Sequence, residues 1–82
     1  MIDILYFAWV RERIGLPRER LETNAATVAD LVEELRGRED RYAVAFADLR
    51  ALRVALDQKL ADFSAPLSGV REVAFFPPMT GG

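Results

Sequence analysis

The sequence predicts an α+β fold in which one mixed β-sheet packs on the apolar face of one main helix. Three observations support this. Residues alternate with the period of a strand near the beginning, from Ile2 to Phe7, and again near the end, from Glu72 to Phe76. Between these segments, from Thr27 to Gly37, apolar residues recur with the period of a helix. Strands on both sides of an amphipathic helix fit a sheet with the helix lying across it.

The first strand is expected to present different residues to its two faces. Asp3 should face water, so Leu5 and Phe7 should share the outer face with it. The even-numbered residues from Ile2 to Tyr6 should then point into the core. Phe76 has the same outward phase in the last strand, where Ala74 should lie beside it. We therefore expect Leu5, Phe7 and Phe76 to form an apolar contact surface, unless a loop covers them.

The next segments predict a helical connection and a second strand. Ala8 to Ile14 can form a short helix or turn, which Gly15 and Pro17 would end. Arg18 to Thr23 has the pattern of a polar strand with Leu21 pointing inward. The two strands would form a hairpin with a long connection.

The main helix has the clearest signals. Thr27 is a good N-cap, and Asp30 stands three residues later, as in a capping box. Gly37 supplies a stop. The predicted apolar stripe of this helix consists of Val28, Leu31, Val32 and Leu35.

The remaining elements are predicted from shorter patterns. In order they are a helical stretch from Asp40 to Asp48, a strand from Leu52 to Leu56, a short strand or turn from Gln58 to Ala61, a loop from Ala65 to Gly69, and the last strand from Glu72 to Phe76.

Composition excludes several classes of function. The net charge is −2 and no basic stripe forms, so we expect no nucleic-acid partner. No apolar run approaches the roughly 18 residues of a membrane span, and no secretory signal is recognisable, so we expect a cytoplasmic protein without membrane contacts. The chain has no cysteine, which excludes a thiol nucleophile and a thiolate metal site. It has no histidine, which removes the commonest general base and the commonest metal ligand. We expect no metal site.

Carboxylates and the single lysine offer little catalytic chemistry. The pairs Glu33-Glu34 and Glu39-Asp40 lie on polar helix faces and are expected to be solvated. Asp57 stands alone, and one carboxylate does not make an acid–base pair. Lys59 is expected to be a solvated loop residue.

The most informative segment is the end of the sequence. We expect residues 1–76 to form the domain and residues 77–82 to form an extended tail. Pro77 and Pro78 would stop the last strand and stiffen the exit. Gly81 and Gly82 carry no side chains, so they could enter a narrow tunnel and present a carboxylate to another protein.

A terminal carboxylate is ionised at neutral pH because its pKa is about 3.5, and it is then a poor acyl donor. Adenylation by ATP would supply a leaving group. Sulfide or persulfide sulfur could displace AMP and leave a thiocarboxylate. With no cysteine in the chain, the carboxyl end is the one position expected to carry transferable sulfur.

These residues resemble the small subunit of molybdopterin synthase (the MoaD type), a ubiquitin-like β-grasp sulfur carrier. The resemblance spans essentially the whole length. It departs from the family at Asp57, where Asn is usual, and at Val70-Arg71, where a Gly-Asp turn is usual; Gly69 would make the turn one residue earlier. Its motifs are Phe7-Ala8, Val10-Arg11-Glu12 with Gly15, Thr27-Val28 with Leu31, Val54-Ala55-Leu56 with Gln58, Pro66-Leu67, Glu72 to Pro78, and Thr80-Gly81-Gly82.

The resemblance implies a function for the tail. An ATP-dependent activating enzyme would adenylate Gly82, and sulfur transfer would make the thiocarboxylate. The tail would then enter the large subunit of a heterotetramer and donate sulfur to cyclic pyranopterin monophosphate, building the dithiolene of molybdopterin. The catalytic side chains would belong to the large subunit, and the chain would bind no cofactor. Partner contacts are expected from Leu5, Phe7, Phe76, Pro77, Pro78, Met79, Thr80 and Gly81.

Other functions remain open. A related carrier could serve thiamine thiazole or sulfur amino acid synthesis, although the Phe-Phe-Pro-Pro approach argues against this. A ubiquitin-like modifier of lysines and a structural interaction domain are further alternatives.

Overall fold

Five strands join in one sheet: β1 (Ile2–Tyr6), β2 (Arg18–Leu21), β3 (Arg53–Leu56), β4 (Lys59–Ala61) and β5 (Glu72–Phe76). The structure, a computed structural model, describes residues 1–78. The strand order is β2-β1-β5-β3-β4. β1 pairs parallel with β5, and the other neighbours pair antiparallel, so the sheet is mixed, as predicted.

The helices are α1 (Ala8–Ile14), α2 (Val28–Arg36) and α3 (Asp40–Ala45), followed by a 3₁₀ helix at Leu49–Ala51. Buried side chains from all three α-helices form one core with those of the sheet. The helices therefore cover one face of the sheet and leave the other without a helical layer. This arrangement is the expected β-grasp fold.

The main helix α2 follows its sequence signals. The hydroxyl of Thr27 accepts a hydrogen bond from the backbone N–H of Asp30 at 3.2 Å. The four predicted stripe residues are fully buried. The helix ends at Gly37, which keeps a right-handed backbone with φ of −80°. The stop therefore does not use the left-handed conformation that glycine allows.

Several elements end earlier than predicted. β1 ends at Tyr6, and β2 ends at Leu21 rather than Thr23. The stretch from Asp40 to Asp48 is not one helix. Phe46, fully buried, leaves the helical conformation and packs edge-on against Phe75, with ring centroids 5.0 Å apart. The carboxylate of Asp48 then accepts from the backbone N–H of Arg50 and starts the 3₁₀ helix.

The two departures from the family pattern meet at the β3–β4 turn. Asp57 and Gln58 both have positive φ, 50° and 70°, as a two-residue type I′ hairpin requires. The carboxylate of Asp57 accepts from the backbone N–H groups of Arg71 and Glu72 at 3.0 and 2.9 Å. It thereby fixes the start of β5. Gly69, with φ of 76°, makes the preceding turn, as predicted.

One inward-facing carboxylate was not predicted. Glu19 on β2 lies opposite Ile4, so its side chain points to the helical side of the sheet. The hydroxyls of Tyr6 and Tyr42 both donate to Glu19 Oε2, at 2.7 and 2.6 Å. Both tyrosines are almost completely buried. This network joins β1, β2 and α3.

Within residues 1–78, no helix is long and apolar enough to cross a membrane.

Candidate functional site

An apolar row crosses the uncovered face of the sheet. Directly opposed residues on neighbouring strands share a face. Leu5 lies opposite Ala74, Ala74 opposite Ala55, and Ala55 opposite Leu60. The row therefore runs across four strands, from β1 to β4.

Two aromatic residues extend this row toward the C-terminal end of β5. Phe76 shares the outer face with Ala74, two residues earlier on the same strand. Phe7 follows β1 with extended backbone angles, φ −123° and ψ 153°, so its side chain keeps the alternation of the strand. Its N–H donates to the carbonyl of Phe75 at 3.1 Å. We name the whole set the sheet patch: Leu5, Phe7, Ala55, Leu60, Ala74 and Phe76.

Exposure within the sheet patch is uneven. Leu60 is 75% exposed and Phe7 is 45% exposed, so no loop within residues 1–78 covers them. Leu5 and Phe76 are half-buried. Ala74 lies on the outer face as expected, but its neighbours leave it only 8% exposed. The described part of the chain therefore brings the predicted Leu5, Phe7 and Phe76 to one face.

Leu60 was missed by the sequence reasoning. Its outward position depends on the pairing of β4 with β3, which places it opposite Ala55. The alternation Lys59-Leu60-Ala61 is too short to show a face by itself. A signal was available, because a hairpin turn at Asp57-Gln58 would have fixed that pairing.

The opposite end of the same face is charged. Arg20 donates to the carboxylate of Asp3 at 2.8 Å, and Arg18 lies 3.7 Å from it. The hydrogen bond from Arg20 holds the pKa of Asp3 below its usual value. Glu72, opposite Asp3, adds a second carboxylate there. The outer face is thus polar where β1 and β5 begin and apolar where they end.

The tail follows β5 at the apolar end of the outer face of the sheet. β5 lies in the middle of the sheet, and Pro77 and Pro78, both half-buried, follow it directly. The predicted contact residues Met79, Thr80 and Gly81 and the predicted reacting residue Gly82 lie outside the described residues. Their roles stay predictions.

Several charged side chains of the described residues make structural contacts. Glu33 pairs with Arg36 at 3.1 Å and Glu39 with Arg41 at 2.9 Å, all on exposed or half-exposed surface. The carboxylate of Asp57 holds the backbone at the start of β5. Among residues 1–78, no three carboxylates lie together as a metal site would require.

Known proteins are similar to this chain in sequence and in architecture. The family model described as the ThiS family matches residues 4–82. The chain is 42% identical to the molybdopterin synthase sulfur carrier subunit of Escherichia coli over 82 residues, 100% of both chains. It is 38% identical to the protein of the same name in Haemophilus influenzae, again over 100% of both.

The fold has solved relatives. The crystal structure of SAMP1 from Haloferax volcanii superposes with a TM-score of 0.77 at 24% identity, covering 99% of this chain and 98% of that one. At this identity the likeness concerns the fold alone, and it agrees with the ubiquitin-like β-grasp architecture. Because a family model and full-length relatives agree, the chain belongs to the ThiS family, together with the molybdopterin synthase sulfur carrier subunits.

Proposed function

We propose that the protein is the sulfur carrier and small subunit of a molybdopterin synthase. The observation that carries this proposal is the 42% identity to the Escherichia coli sulfur carrier subunit over the whole of both chains. The absence of cysteine and histidine from the sequence is consistent with it, because a carrier of this kind supplies no catalytic side chain.

The reacting group in this proposal is the carboxylate of Gly82. An activating enzyme joins it to AMP and releases pyrophosphate from ATP. Sulfide then attacks the acyl carbon and displaces AMP, which leaves a thiocarboxylate; if a persulfide attacks instead, the acyl disulfide that forms is cleaved by a thiol of the sulfur-donating protein, which is oxidised to a disulfide. The thiocarboxylate gives its sulfur to cyclic pyranopterin monophosphate in the large subunit. ATP is thus a substrate of the activating enzyme, and the carrier holds no cofactor.

The sheet patch and the tail act together in this proposal. The large subunit packs on the sheet patch and receives residues 77–82, with two large and two small subunits in the complete synthase. Exposed apolar residues such as Phe7 and Leu60 support this role, since a contiguous apolar surface marks a contact site. Because the sheet patch lies beside Pro77, a large subunit bound to the patch would lie next to the start of the tail.

The test is the mass of the protein isolated from its own cells. We expect a fraction heavier by the difference between one sulfur and one oxygen atom, located by fragmentation on the last residue. Gly81→Ala, or one residue appended after Gly82, should abolish molybdopterin formation because either change adds atoms where a narrow tunnel must close around the tail. The thermal unfolding of both variants should match that of the unmodified chain.

Arg71→Ala, a change at an exposed residue directly before β5 and away from the tail, is the matched control and should form molybdopterin normally. Normal product formation by the appended variant would exclude the terminal carboxylate as the sulfur carrier. Products linked through isopeptide bonds to other proteins would instead favour a lysine modifier.

A further inference from the structure

We propose that Arg53 is a docking point for a carboxylate of the large subunit, beside the place where the tail leaves the sheet. This inference rests on the proposed function, because the large subunit is the protein that would receive the tail. It adds a charged contact to an otherwise apolar surface.

Arg53 stands at the rim of the sheet patch. On β3 it lies directly opposite Phe76 of β5, so both side chains start from the outer face of the sheet. Phe76 is half-buried and Arg53 is exposed. Pro77 follows Phe76, which places Arg53 next to the first residue of the tail. A partner that covers Phe76 and accepts the tail must therefore pass close to Arg53.

The guanidinium of Arg53 is held in one orientation. Its Nη1 donates to the carbonyl oxygen of Leu52 at 2.8 Å and to that of Arg50 at 3.3 Å. Nη1 carries only two hydrogens, so these two bonds use both of them. The remaining donors are the Nε hydrogen and the two hydrogens of Nη2. One edge, Nε with Nη2, matches the two oxygens of a carboxylate in a bidentate pair.

The charge of Arg53 is also uncompensated within residues 1–78. Some arginines have carboxylate partners there: Arg20 binds Asp3 at 2.8 Å and Arg50 binds Asp48 at 3.2 Å. Arg11, Arg13, Arg38 and Arg71 share with Arg53 the lack of a described carboxylate within 4 Å, but among these Arg53 is the one that lies opposite Phe76. Arg53 forms no such ion pair with a described Asp or Glu. Phe76 opposite it and Ala55 two residues along the same strand are apolar, so a partner that buries this rim should supply a counter-charge.

A protein carboxylate fits this position better than a phosphate of a small substrate. From Phe76 to Gly82 the chain spans about 20 Å when extended. Under the proposed function, phosphates bound at the reacting end lie beyond the reach of Arg53. Interfaces commonly surround an apolar centre with a polar rim, and arginine is frequent among their energetically dominant residues.

The experiment measures binding of the full-length chain to the large subunit of the same organism. Arg53→Ala should weaken binding about tenfold or more, as expected for loss of a charge-assisted hydrogen bond. Arg53→Lys keeps the charge but not the planar fork, so the association rate should stay near that of the wild type while dissociation becomes several-fold faster. Arg20→Ala, at the charged end of the same face, should change affinity by less than about twofold.

Double-mutant cycles identify the partner group. Arg53→Ala is combined with single Asp→Asn and Glu→Gln changes on the large subunit, and one of them should remove most of the effect of Arg53→Ala. Wild-type affinity of Arg53→Ala would overturn the inference, and Phe76→Ala would still report on the apolar contact. The inference would also be overturned if Arg53→Lys dissociated at the wild-type rate. It would likewise be overturned if Arg53→Ala lost affinity but no carboxylate of the large subunit showed coupling to it. If Phe76→Ala and Arg53→Ala both bind normally, the proposed docking face itself is wrong.

Discussion

At the scale of single residues, Glu19 connects three elements that are distant in the chain. It is half-buried, and its Oε2 atom accepts from the hydroxyls of Tyr6 and Tyr42. Both tyrosines need an acceptor, because a buried hydroxyl without a partner loses its hydrogen bonds to water on folding. One carboxylate thus satisfies two buried donors and fixes the edge strand β2 against α3.

Removing this carboxylate should destabilise the fold. Glu19→Ala leaves two buried hydroxyls without their acceptor, and we expect a loss of about 2 kcal/mol or more in the free energy of unfolding. Tyr42→Phe removes only one of the two hydrogen bonds and should cost about 1 kcal/mol. Urea denaturation measures both changes. Glu22→Ala, on exposed chain just after β2, is the matched control. Equal stability of the Glu19→Ala and Glu22→Ala variants would show that the network contributes nothing.

The residues of this network also show what a sequence pattern leaves out. The alternation in Arg18 to Thr23 identified a strand with Leu21 inward, and the same period of two places Glu19 on that face. It did not show what would bind a carboxylate there, since its partners come from β1 and α3. Local signals sufficed for α2, where Thr27 and Asp30 are three residues apart and the stripe lies on one helix.

At the scale of elements, the short hairpin of β3 and β4 completes the outer face. β4 has three residues, yet it places Leu60 at the far end of the apolar row, opposite Ala55. Because Leu60 is 75% exposed, its side chain contributes little to the core. The hairpin therefore places Leu60 on the exposed outer face, while Val54 belongs to the core and Leu56 and Ala61 pack against it.

Replacing Leu60 should separate binding from stability. Leu60→Ser should change the free energy of unfolding by no more than about 0.5 kcal/mol, because the side chain is already solvated. We expect its affinity for the large subunit to fall by about 1–2 kcal/mol, the range of a substantial interface residue. Titration calorimetry measures the second quantity and urea denaturation the first.

The matched control is Val44→Ser on α3. Val44 is 57% exposed but belongs to the helical layer, on the other side of the sheet from the sheet patch. Its substitution should leave affinity unchanged. A similar loss of affinity for both variants would mean that the partner does not distinguish the two faces.

The elements differ in how far the sequence could predict them. Phe7 and Phe76 were placed on the outer face by alternation within their own strands, and the structure confirms that face. Leu60 could have been placed only by recognising the hairpin turn at Asp57-Gln58, and the place of Arg53 beside the tail depends on the pairing of β3 with β5. Such non-local registers are not encoded in any single segment.

At the scale of the whole molecule, the stability of the fold should depend on alkaline pH. Burial, followed by the hydrogen bond to Glu19, raises the pKa of Tyr42 to about 12, and burial also raises the pKa of Tyr6. In the unfolded chain both phenols titrate near pH 10. Between these values the unfolded state has lost protons that the folded state keeps, so unfolding becomes more favourable as pH rises.

We therefore expect full stability below about pH 10 and a progressive loss as pH rises toward 12, with a slope of at most about 1.4 kcal/mol per pH unit for each tyrosine. Urea denaturation at pH 9 and pH 11 measures the difference, and tyrosinate absorbance follows ionisation directly. Tyr42→Phe should reduce the slope of the unfolding free energy against pH by the contribution of the Tyr42 hydroxyl. Equal unfolding free energies at the two pH values would show that the hydroxyls titrate normally in the folded chain.

The central position of β5 has a mechanical consequence. The tail continues from a strand held on one flank by β1 and on the other by β3. A force that pulls on the tail acts along the direction of β5. It therefore loads the hydrogen bonds of β5 to β1 and to β3 all together in shear, instead of breaking them one after another. Under the proposed function, we expect that the tail can be withdrawn from the large subunit without unfolding the domain, so that the same molecule can be loaded with sulfur again.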